Sequence, residues 1–293
     1  MRIIEPKVEY WNCGFNKADI MNHIARCTRV CYQSESVEGE PSDTFVRRTA
    51  LGRGHHSVLE HGTVYLITNE NHVADFFYNN PYSKVVCTTV GYCVTTNVRV
   101  LHENDMMHLL DDARIPTKHH VKRVSVSITT NIGVSRELNR HRCHSISEES
   151  TRYCNYSRKR FDKSLTFVLN EAFGTQMSFA SGEVTIKGDK VYIDGDEFPI
   201  VSEDVVDYLR YLKSCEDLYL KYVMNGYVAQ EARGILPLDL KTQVIHTAFI
   251  PDWDQFIDLR FKEKTGKVHP DMQYVAEEIK NIIYQIKSNK LKL

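Results

Sequence analysis

The sequence predicts an α+β fold, with all 293 residues in one domain. Apolar residues recur at helical spacing near both ends of the chain, whereas several segments between them alternate as half-buried strands do. No internal repeat or linker divides the chain, and hydrophobic residues make up 42% of it, which is enough for a sizeable core. Helices and strands mixed in this order are typical of an α+β domain with insertions.

The N-terminal third of the chain predicts two helices followed by strands. The first helix is expected where four side chains share one face: Ile20, Ile24, Cys27 and Cys31. A short helix should start at Pro41 and Ser42, because serine is a good N-cap, and should end at the glycines of 52–54. Residues 63–68 predict a strand, and 85–100 form a β-rich stretch.

The rest of the chain predicts two further β segments and three helices. Strand alternation recurs over 123–130, and residues 182–198 predict a hairpin that turns at 188–189. Each of the three helices has a recognisable start, end or apolar face. They are a long helix from a Ser202 cap to Asn225 and Gly226, a second that ends near Pro237, and a last that carries apolar residues from Val275 to Ile286.

The charge balance excludes several classes of function. Thirty-seven Lys and Arg residues against 38 Asp and Glu leave a net charge of −1, so no overall field would hold a nucleic acid or an anionic membrane. No apolar stretch approaches the ~20 residues of a membrane-spanning helix, and Glu5 falls where a signal peptide is apolar. We therefore expect a cytoplasmic protein whose cysteines are reduced.

Cations nevertheless concentrate in one short segment of this neutral chain. Four arginines and two histidines lie within 136–152: Arg136, Arg140, His141, Arg142, His144 and Arg152. Guanidinium groups bind phosphate bidentately and stack on flat rings, so the cluster predicts a phosphorylated aromatic ligand such as a nucleotide or a flavin. Two other interpretations stay open at this point. The cluster could be a solvated helix face with salt bridges to Glu148 and Glu149, or it could bind nucleic acid.

The order of residues in this segment closely resembles the signature of the flavin-dependent thymidylate synthases. Four ordered motifs carry the resemblance: ArgHisArg at 140–142 with Ser150 and Arg152, GlyHisHisSerValLeuGluHis at 54–61, GluAlaArgGlyIleLeuPro at 231–237, and LeuArg at 259–260 followed by HisPro at 269–270. The similar segments are residues 1–62, 123–158 and 203–285. The stretches between them, near 69–122 and 159–201, are therefore expected to be insertions.

Members of that family make dTMP from dUMP. The resemblance implies a single catalytic domain with a central mixed or antiparallel sheet, flanking helices and two insertions. It also implies that methylenetetrahydrofolate supplies the methylene group and that NADPH supplies the hydride by way of FAD. The expected assembly is a homotetramer with sites formed between subunits, and its partner molecule is dUMP rather than a nucleic acid or a membrane.

The resemblance assigns roles to particular residues. Those expected on the flavin are Ser57, Arg140, His141, Arg142, Glu148 and Gln255, with His55 beside the isoalloxazine as a catalytic residue. Those expected on dUMP are Glu137, Arg140, Glu148, Glu149, Ser150, Thr151, Arg152, Arg233 and Arg260. Arg260 would also be catalytic, since it would face the uracil and favour its ionised form. Backbone amides around Ser150 could bind a phosphate, and no metal is expected.

Three positions depart from the family pattern. Phe249 stands where an asparagine often touches the flavin, Glu137 where some relatives have glutamine, and Ser147 where asparagine is common. Phe249 should remove one polar flavin contact, and Glu137 would cost energy near a phosphate unless it faces a ribose hydroxyl or an arginine. Cys143 and Cys154 flank the motif but match no functional position, so we expect no nucleophilic role for either.

Three functions compete for this sequence. The leading hypothesis is a flavin-dependent thymidylate synthase. A second enzyme hypothesis keeps the fold and the flavin but adds a hydroxymethyl group to carbon 5 of a pyrimidine nucleotide. A non-catalytic nucleic-acid-binding module, from a different class, would use the arginine cluster alone. Uptake of FAD by the purified protein separates both enzymes from the module.

Overall fold

Twelve strands and ten α-helices make up the part of the chain that the computed structural model describes, residues 1–35, 39–199 and 202–292. The strands are β1 (Arg2–Ile3), β2 (Lys7–Trp11), β3 (Thr63–Thr68), β4 (Lys84–Thr88), β5 (Gly91–Asn97), β6 (Arg123–Asn131), β7 (Ser145–Glu148), β8 (Thr166–Phe167), β9 (Gly182–Lys187), β10 (Lys190–Ile193), β11 (Asp196–Phe198) and β12 (Lys241–Phe249). The helices are α1 (Lys17–Tyr32), α2 (Ser42–Val46), α3 (Asn71–Asn79), α4 (Val98–Glu103), α5 (Ile132–Leu138), α6 (Glu171–Gln176), α7 (Glu203–Met224), α8 (Ala229–Ala232), α9 (Ile250–Arg260) and α10 (Pro270–Lys287).

A four-stranded antiparallel sheet forms the centre, in the order β2-β6-β12-β7. β6 and β12 pair along their whole length, so Arg123 lies opposite Phe249 and Asn131 opposite Lys241. The α+β fold class is thereby confirmed, with the antiparallel form of the central sheet. Because β7 follows α5 after a turn at 139–144, this sheet holds one end of the arginine segment in place.

Helices cover both faces of the central sheet. On one face α1 packs through a small apolar cluster: Trp11, Cys27, Val30 and Ile245. On the other face α9 and α10 build a larger core around Trp253 and Phe256, which are fully buried. Side chains alternate between the two faces along each strand, so Val244 and Ile245 enter different cores.

The segments expected to be insertions contribute outer sheets. A three-stranded sheet, in the order β3-β5-β4, packs its apolar face toward α1 and α4. A mixed five-stranded sheet, in the order β11-β10-β9-β1-β8, packs against α7 and includes the N-terminal strand. Residues 200–201 of the second expected insertion lie outside the described residues. The single-domain organisation stays a prediction.

The long helices agree with the helical spacing of the sequence. α1, α7 and α10 occupy the segments expected for them. Ser202 is the N-cap of α7, but its hydroxyl donates to Gln176 Oε1 at 2.7 Å and makes no capping bond to the helix backbone. The helix ends at Met224 with Asn225 as its C-cap, and the positive φ of 95° at Gly226 allows the chain to turn away.

Local capping corrects three of the predicted boundaries. The β-rich stretch 85–100 does not stay extended, because the Asn97 side chain accepts a hydrogen bond from the Val100 amide at 3.1 Å and starts α4. Pro41 is the N-cap of α2, so Ser42 is its first helical residue. The helix expected to end near Pro237 is only α8, followed by a 3-10 turn.

Candidate active site

The arginine segment spans a helix, a turn and a strand. Asn131 starts α5, because its side chain accepts a hydrogen bond from the Val134 amide at 2.8 Å. α5 is short, and a turn at 139–144 leads from it into β7. The cationic side chains of the segment therefore leave the backbone in several directions and do not form a single helix face.

The four arginines of the segment have no acidic partner in the described part of the chain. All are exposed: Arg136, Arg140, Arg142 and Arg152. Glu148 instead accepts from uncharged donors, Asn139 Nδ2 at 2.9 Å and Thr242 Oγ1 at 3.0 Å. Glu149 is buried and pairs with Lys241 Nζ at 2.6 Å. The alternative of a solvated helix face with salt bridges to Glu148 and Glu149 is therefore wrong.

A cleft of about 570 Å³ opens between α5, the 148–151 loop and the 233–238 segment. We call it the α5 cleft, and its size is that of a small-molecule site. It brings together most of the residues expected on the nucleotide: Glu148, Glu149, Ser150, Thr151 and Arg233. Arg233 Nη1 donates to Thr151 Oγ1 at 3.3 Å, so the motif at 231–237 reaches the loop at 148–151.

Three of the backbone amides at 149–152 already have partners. The Ser150 amide donates to the Cys31 carbonyl at 3.0 Å, and the Glu149 amide donates to the Gln243 carbonyl at 2.8 Å. The Arg152 amide donates to Ser150 Oγ at 3.3 Å. Within the described residues the Thr151 amide, beside Ser150, makes no hydrogen bond, so an amide contribution to phosphate binding stays a prediction. The charged donors available to an anion in the α5 cleft are arginine side chains.

Arg260 lies in a separate cluster with Glu137 and His141. Its Nη1 pairs with Glu137 Oε2 at 2.9 Å, its Nη2 donates to the Glu137 carbonyl at 3.3 Å, and its Nε donates to His141 Nε2 at 3.1 Å. Burial and the neighbouring Arg260 guanidinium lower the pKa of His141 to about 4. The imidazole is therefore neutral at pH 7, which leaves its Nε2 free to accept.

Helix geometry separates the Arg260 cluster from the α5 cleft. The side chains that α5 turns toward the cleft recur at helical spacing: Ile132, Ser135, Arg136 and Asn139. At roughly 100° per residue, Glu137 lies on nearly the opposite side of the helix. Arg233 and Arg260 of one chain therefore do not share a cleft, although both lie beside the same short helix.

The other residues expected on the flavin are exposed. Arg140 and Arg142 lie on the turn after α5, and Gln255 lies on α9. His55 and Ser57 flank the start of a 3-10 helix at His56–His61. Within the described residues, none of the five makes a side-chain hydrogen bond, and the structure does not gather them into one cavity.

Histidines pack beneath this surface. His61 is fully buried, with Nδ1 2.8 Å from Thr247 Oγ1 and Nε2 2.9 Å from Ser147 Oγ. Ser147 thus has a structural partner where relatives commonly have asparagine. His144 and His246 meet through their Nδ1 atoms at 3.1 Å. Among the described residues, no group of three or more His, Cys, Asp and Glu side chains could hold a metal.

Two further departures from the family pattern have structural explanations. Phe249 is buried, and the Arg123 guanidinium lies 5.4 Å from its ring centroid, so it fills the end of the central sheet. Glu137 faces Arg260, the favourable alternative for an acid at this position. Cys154 is buried and its pKa is raised to about 12, which agrees with the expectation that it is not a nucleophile.

Three residues outside the roles that the family resemblance assigned complete the α5 cleft. Arg136 lines it, and the sequence had placed this arginine in the cationic cluster but gave it no specific role. Asn139 and Thr242 hold the two carboxylate oxygens of Glu148. The spacing of Arg136 and Asn139 along α5 would have placed them on one face, but Thr242 belongs to a strand without a sequence signal.

Known proteins of solved structure show a distant likeness to this chain. Within residues 1–35, 39–199 and 202–292, every helix is too short or too polar to traverse a lipid bilayer. No curated protein matches the sequence. Two solved structures of a UMP/dUMP methylase, PolB from Streptomyces cacaoi, are similar at 15% identity. The one bound with 5-Br UMP has a TM-score of 0.44 over 97% of this chain and 92% of that chain. The one bound with 5-Br dUMP has a TM-score of 0.45 over 98% and 93%.

The family itself is identified by a match within the chain. The family model described as thymidylate synthase complementing protein, Thy1, matches residues 106–287, which include the arginine segment, the α5 cleft and Arg260. Because this match covers more than half of the sequence, the chain belongs to the Thy1 family.

Proposed function

We propose that this protein is a flavin-dependent thymidylate synthase that converts dUMP to dTMP. Methylenetetrahydrofolate would donate the methylene group and NADPH the hydride, by way of FAD. The observation that carries the proposal is the α5 cleft, in which Arg233 meets the 148–151 loop within a chain of the Thy1 family. Neither motif alone predicts a shared cleft, since the two lie more than eighty residues apart.

Charge favours a phosphate in the α5 cleft. Arg136 and Arg233 supply two guanidinium groups, and each can bind a phosphate through a pair of N–H donors. Glu149 is neutralised by Lys241, and both oxygens of Glu148 are occupied by Asn139 and Thr242. The charge of Glu149 is thereby offset, and the hydrogen bonds fix the position of the Glu148 carboxylate, so the two guanidinium groups face one uncompensated acid in the loop.

Arg260 is proposed to act on the uracil ring. A guanidinium about 4 Å from a developing uracil anion would contribute on the order of 4 kcal/mol at an effective dielectric near 20, before desolvation is subtracted. Three contacts from Glu137 and His141 already fix its orientation. Such a fixed cation stabilises a charge that develops in the transition state without reorganising.

A site that uses both Arg233 and Arg260 requires more than one chain. α5 separates the two side chains within a single chain, because the cleft and Glu137 lie on different faces of the helix. Two copies could bring the Arg260 cluster of one against the α5 cleft of the other. This supports the homotetramer with shared sites that the resemblance implies.

The exposed residues after α5 fit a flavin cofactor with a diphosphate. Arg140 and Arg142 are free of acidic partners within the described residues, and guanidinium groups of this kind bind phosphates and stack on flat rings. With His141 they would hold FAD, and Ser57 and His55 would lie near its ring. When bound, FAD would supply the hydride that it takes from NADPH.

The reaction balances with these partners. The methylene carbon of methylenetetrahydrofolate would leave its two folate nitrogens and bond to carbon 5 of the uracil, which loses its proton, and one hydride would complete the methyl group. That proton and one from solvent would go to the two folate nitrogens, so tetrahydrofolate and NADP⁺ are the other products. Arg260 would hold the ring while it is anionic, and the arginines of the α5 cleft would keep the phosphate, and thus the ring, in a fixed position.

NADPH oxidation under anaerobic conditions tests the proposal. We expect FAD-loaded protein to oxidise NADPH faster when dUMP is present, because a nucleotide in the α5 cleft completes the site. dUMP should fail to stimulate oxidation in Arg233→Ala. A colourless protein that cannot take up FAD, or an oxidation rate indifferent to dUMP in the wild type, would contradict the proposed function.

A further inference from the structure

A second cavity lies on the other side of Glu149 from the α5 cleft. Its volume is about 530 Å³, close to that of the α5 cleft and within the range of small-molecule sites. The C-terminal end of α1, the start of β12 and the 160–166 segment form its walls, and β1 contributes Arg2. We call it the α1 cavity. No residue of the family signature other than Glu149 lines it.

Three arginines at the rim of the α1 cavity have unused N–H donors. Arg2, Arg26 and Arg160 are exposed, and none forms an ion pair within the described residues. The Arg26 guanidinium stacks on Trp11, 3.4 Å from the ring centroid, which holds the group while leaving its edge open. Arg160 lies 4.9 Å from the centroid of Phe161 in the same way. Stacked guanidinium groups are preorganised for bidentate contacts with a phosphate.

The floor of the α1 cavity is electrically balanced. Lys241 and Glu149 pair at 2.6 Å, and the Tyr156 hydroxyl donates to Glu149 at 3.1 Å. Arg29 also lines the cavity, but it donates to the Glu35 carbonyl at 2.8 Å. The free positive charge is therefore concentrated at the rim, on the three arginines that lack such partners.

Acids and amides in the same cavity favour an organic phosphate over an inorganic one. The carboxylates of Glu35 and Asp162 line it and form no ion pair in the described chain. These carboxylates would repel a bare polyphosphate, whereas a sugar hydroxyl can donate a hydrogen bond to them. Gln33 Nε2 donates to Gln243 Oε1 at 3.1 Å. The side-chain oxygen of Gln33, Oε1, can therefore accept a hydrogen bond from a nucleotide base.

We propose that the α1 cavity binds a nucleotide-sized organic phosphate, with Arg2, Arg26 and Arg160 on its phosphate. This site is distinct from the proposed dUMP site, because among the described residues Glu149 alone lines both cavities and separates them. Both cavities can therefore be filled at the same time. The inference does not depend on the proposed reaction, since it rests on residues to which that reaction gives no role.

Equilibrium dialysis of the full chain against radiolabelled AMP, with dUMP in excess, tests the site. The test variant is Arg2→Ala/Arg160→Ala, which removes two exposed side chains. Arg158→Ala is the matched control, because it removes an exposed arginine from the same segment that does not line the cavity. Arg233→Ala removes the arginine of the other cleft. Circular dichroism checks that each variant is folded.

We expect one AMP per chain in the wild type, with a Kd at least about tenfold higher in the double variant, as the loss of charged hydrogen bonds predicts. Kd should change less than about twofold in Arg158→Ala and Arg233→Ala. AMP should bind more tightly than inorganic pyrophosphate, and adenosine should not compete.

Four results would overturn the inference: no AMP binding, equal binding by wild type and double variant, an equal loss in Arg158→Ala, or a loss confined to Arg233→Ala. Pyrophosphate bound as tightly as AMP would also overturn it, because the site would then select charge alone. The dUMP-stimulated oxidation of NADPH, measured on the same proteins, reports on the proposed function separately.

Discussion

At the scale of single residues, two arginines that are distant in the sequence have different surroundings. Arg233 is exposed and has one weak contact, the 3.3 Å hydrogen bond to Thr151. Arg260 is half-buried, and Glu137 and His141 use all three of its nitrogens. An exposed cation with few contacts suits the capture of a phosphate, whereas a fixed one suits stabilisation of a charge that develops on a ring.

Arg233→Ala should weaken binding of dUMP without affecting the fold. Loss of charged hydrogen bonds to a phosphate costs about 1.5–3 kcal/mol, so the Kd for dUMP should rise by roughly ten- to a hundredfold. Arg210→Ala, a surface arginine paired with Asp189 and Asp207, is the control and should change the Kd little. Isothermal titration with dUMP measures both. An unchanged Kd in Arg233→Ala would remove this residue from the nucleotide site.

Arg260→Ala should keep the flavin but lose turnover. The side chain is assigned to the pyrimidine, and about 4 kcal/mol of lost stabilisation corresponds to roughly a thousandfold in rate. The flavin absorption band and steady-state dTMP formation measure the two effects on one sample. Turnover equal to that of the wild type would refute the assignment, and loss of the flavin would move Arg260 to the cofactor site.

At the scale of elements, α9 connects the Arg260 cluster to the central sheet. Trp253 is fully buried, and its Nε1 donates to the Val124 carbonyl at 3.1 Å. The ring also lies against His144, 4.5 Å between centroids. Packing at the start of α9 thus positions Arg260 at its end, so the stability of this helix and the geometry of the cluster are coupled.

Trp253→Ala should lower the free energy of unfolding by about 3–5 kcal/mol, the cost of a large cavity in a packed core. Gln255→Ala, at an exposed position of the same helix, should change it by less than about 0.5 kcal/mol. Urea denaturation at pH 7 measures both variants. A similar loss in the two would show that α9 is not anchored through Trp253.

Some elements were predictable from sequence and others were not, for physical reasons. α1 and α10 show a helical apolar period because each packs one face on a core. β12 has no alternation, because His246 and Thr247 are buried polar side chains with partners in other elements. The sequence therefore predicted no strand at β12. It also predicted no helix at α9 or α5, although α9 ends in Arg260 and α5 faces the cleft.

Some residues of the candidate site were likewise predictable from the sequence, whereas their bonding partners were not. The family motifs predicted Arg233 and the 148–152 loop, and the structure brings Arg233, Glu148 and Thr151 together. Motifs record residue types but not what each residue bonds to. The pairing of Glu149 with Lys241, and of Arg260 with Glu137, depends on strand register and on helix faces that only the folded chain defines.

At the scale of the whole molecule, buried histidines link stability to pH. Burial lowers the pKa of His23 and His144 to about 3, with neighbouring positive groups adding to the effect, and lowers that of His61 and His246 well below 6.5. They come from four different places in the fold: α1, the 3-10 helix, the turn before β7, and β12. In the unfolded chain these histidines have a pKa near 6.5, so below that pH the unfolded chain binds protons that the folded chain does not bind.

Stability should therefore fall as the pH drops below about 6.5, toward the pKa values of the folded chain. Each histidine that stays neutral in the folded chain should cost about 2 kcal/mol between pH 7 and pH 5. His144→Leu should reduce that loss by about one such contribution. Ile245→Val, a buried change without a titrating group, should lower stability equally at both pH values. Urea denaturation at pH 7 and pH 5 measures the free energy of unfolding of each protein. A wild type that is equally stable at both pH values would contradict the account.

The most direct measurement of the central claim is the mass of the nucleotide after incubation of the protein with dUMP, methylenetetrahydrofolate, NADPH and FAD. We predict that the product carries one added methyl group, as dTMP does, and that Arg233→Ala and Arg260→Ala yield little of it. A nucleotide with a hydroxymethyl group at carbon 5, or one of unchanged mass, would contradict the account.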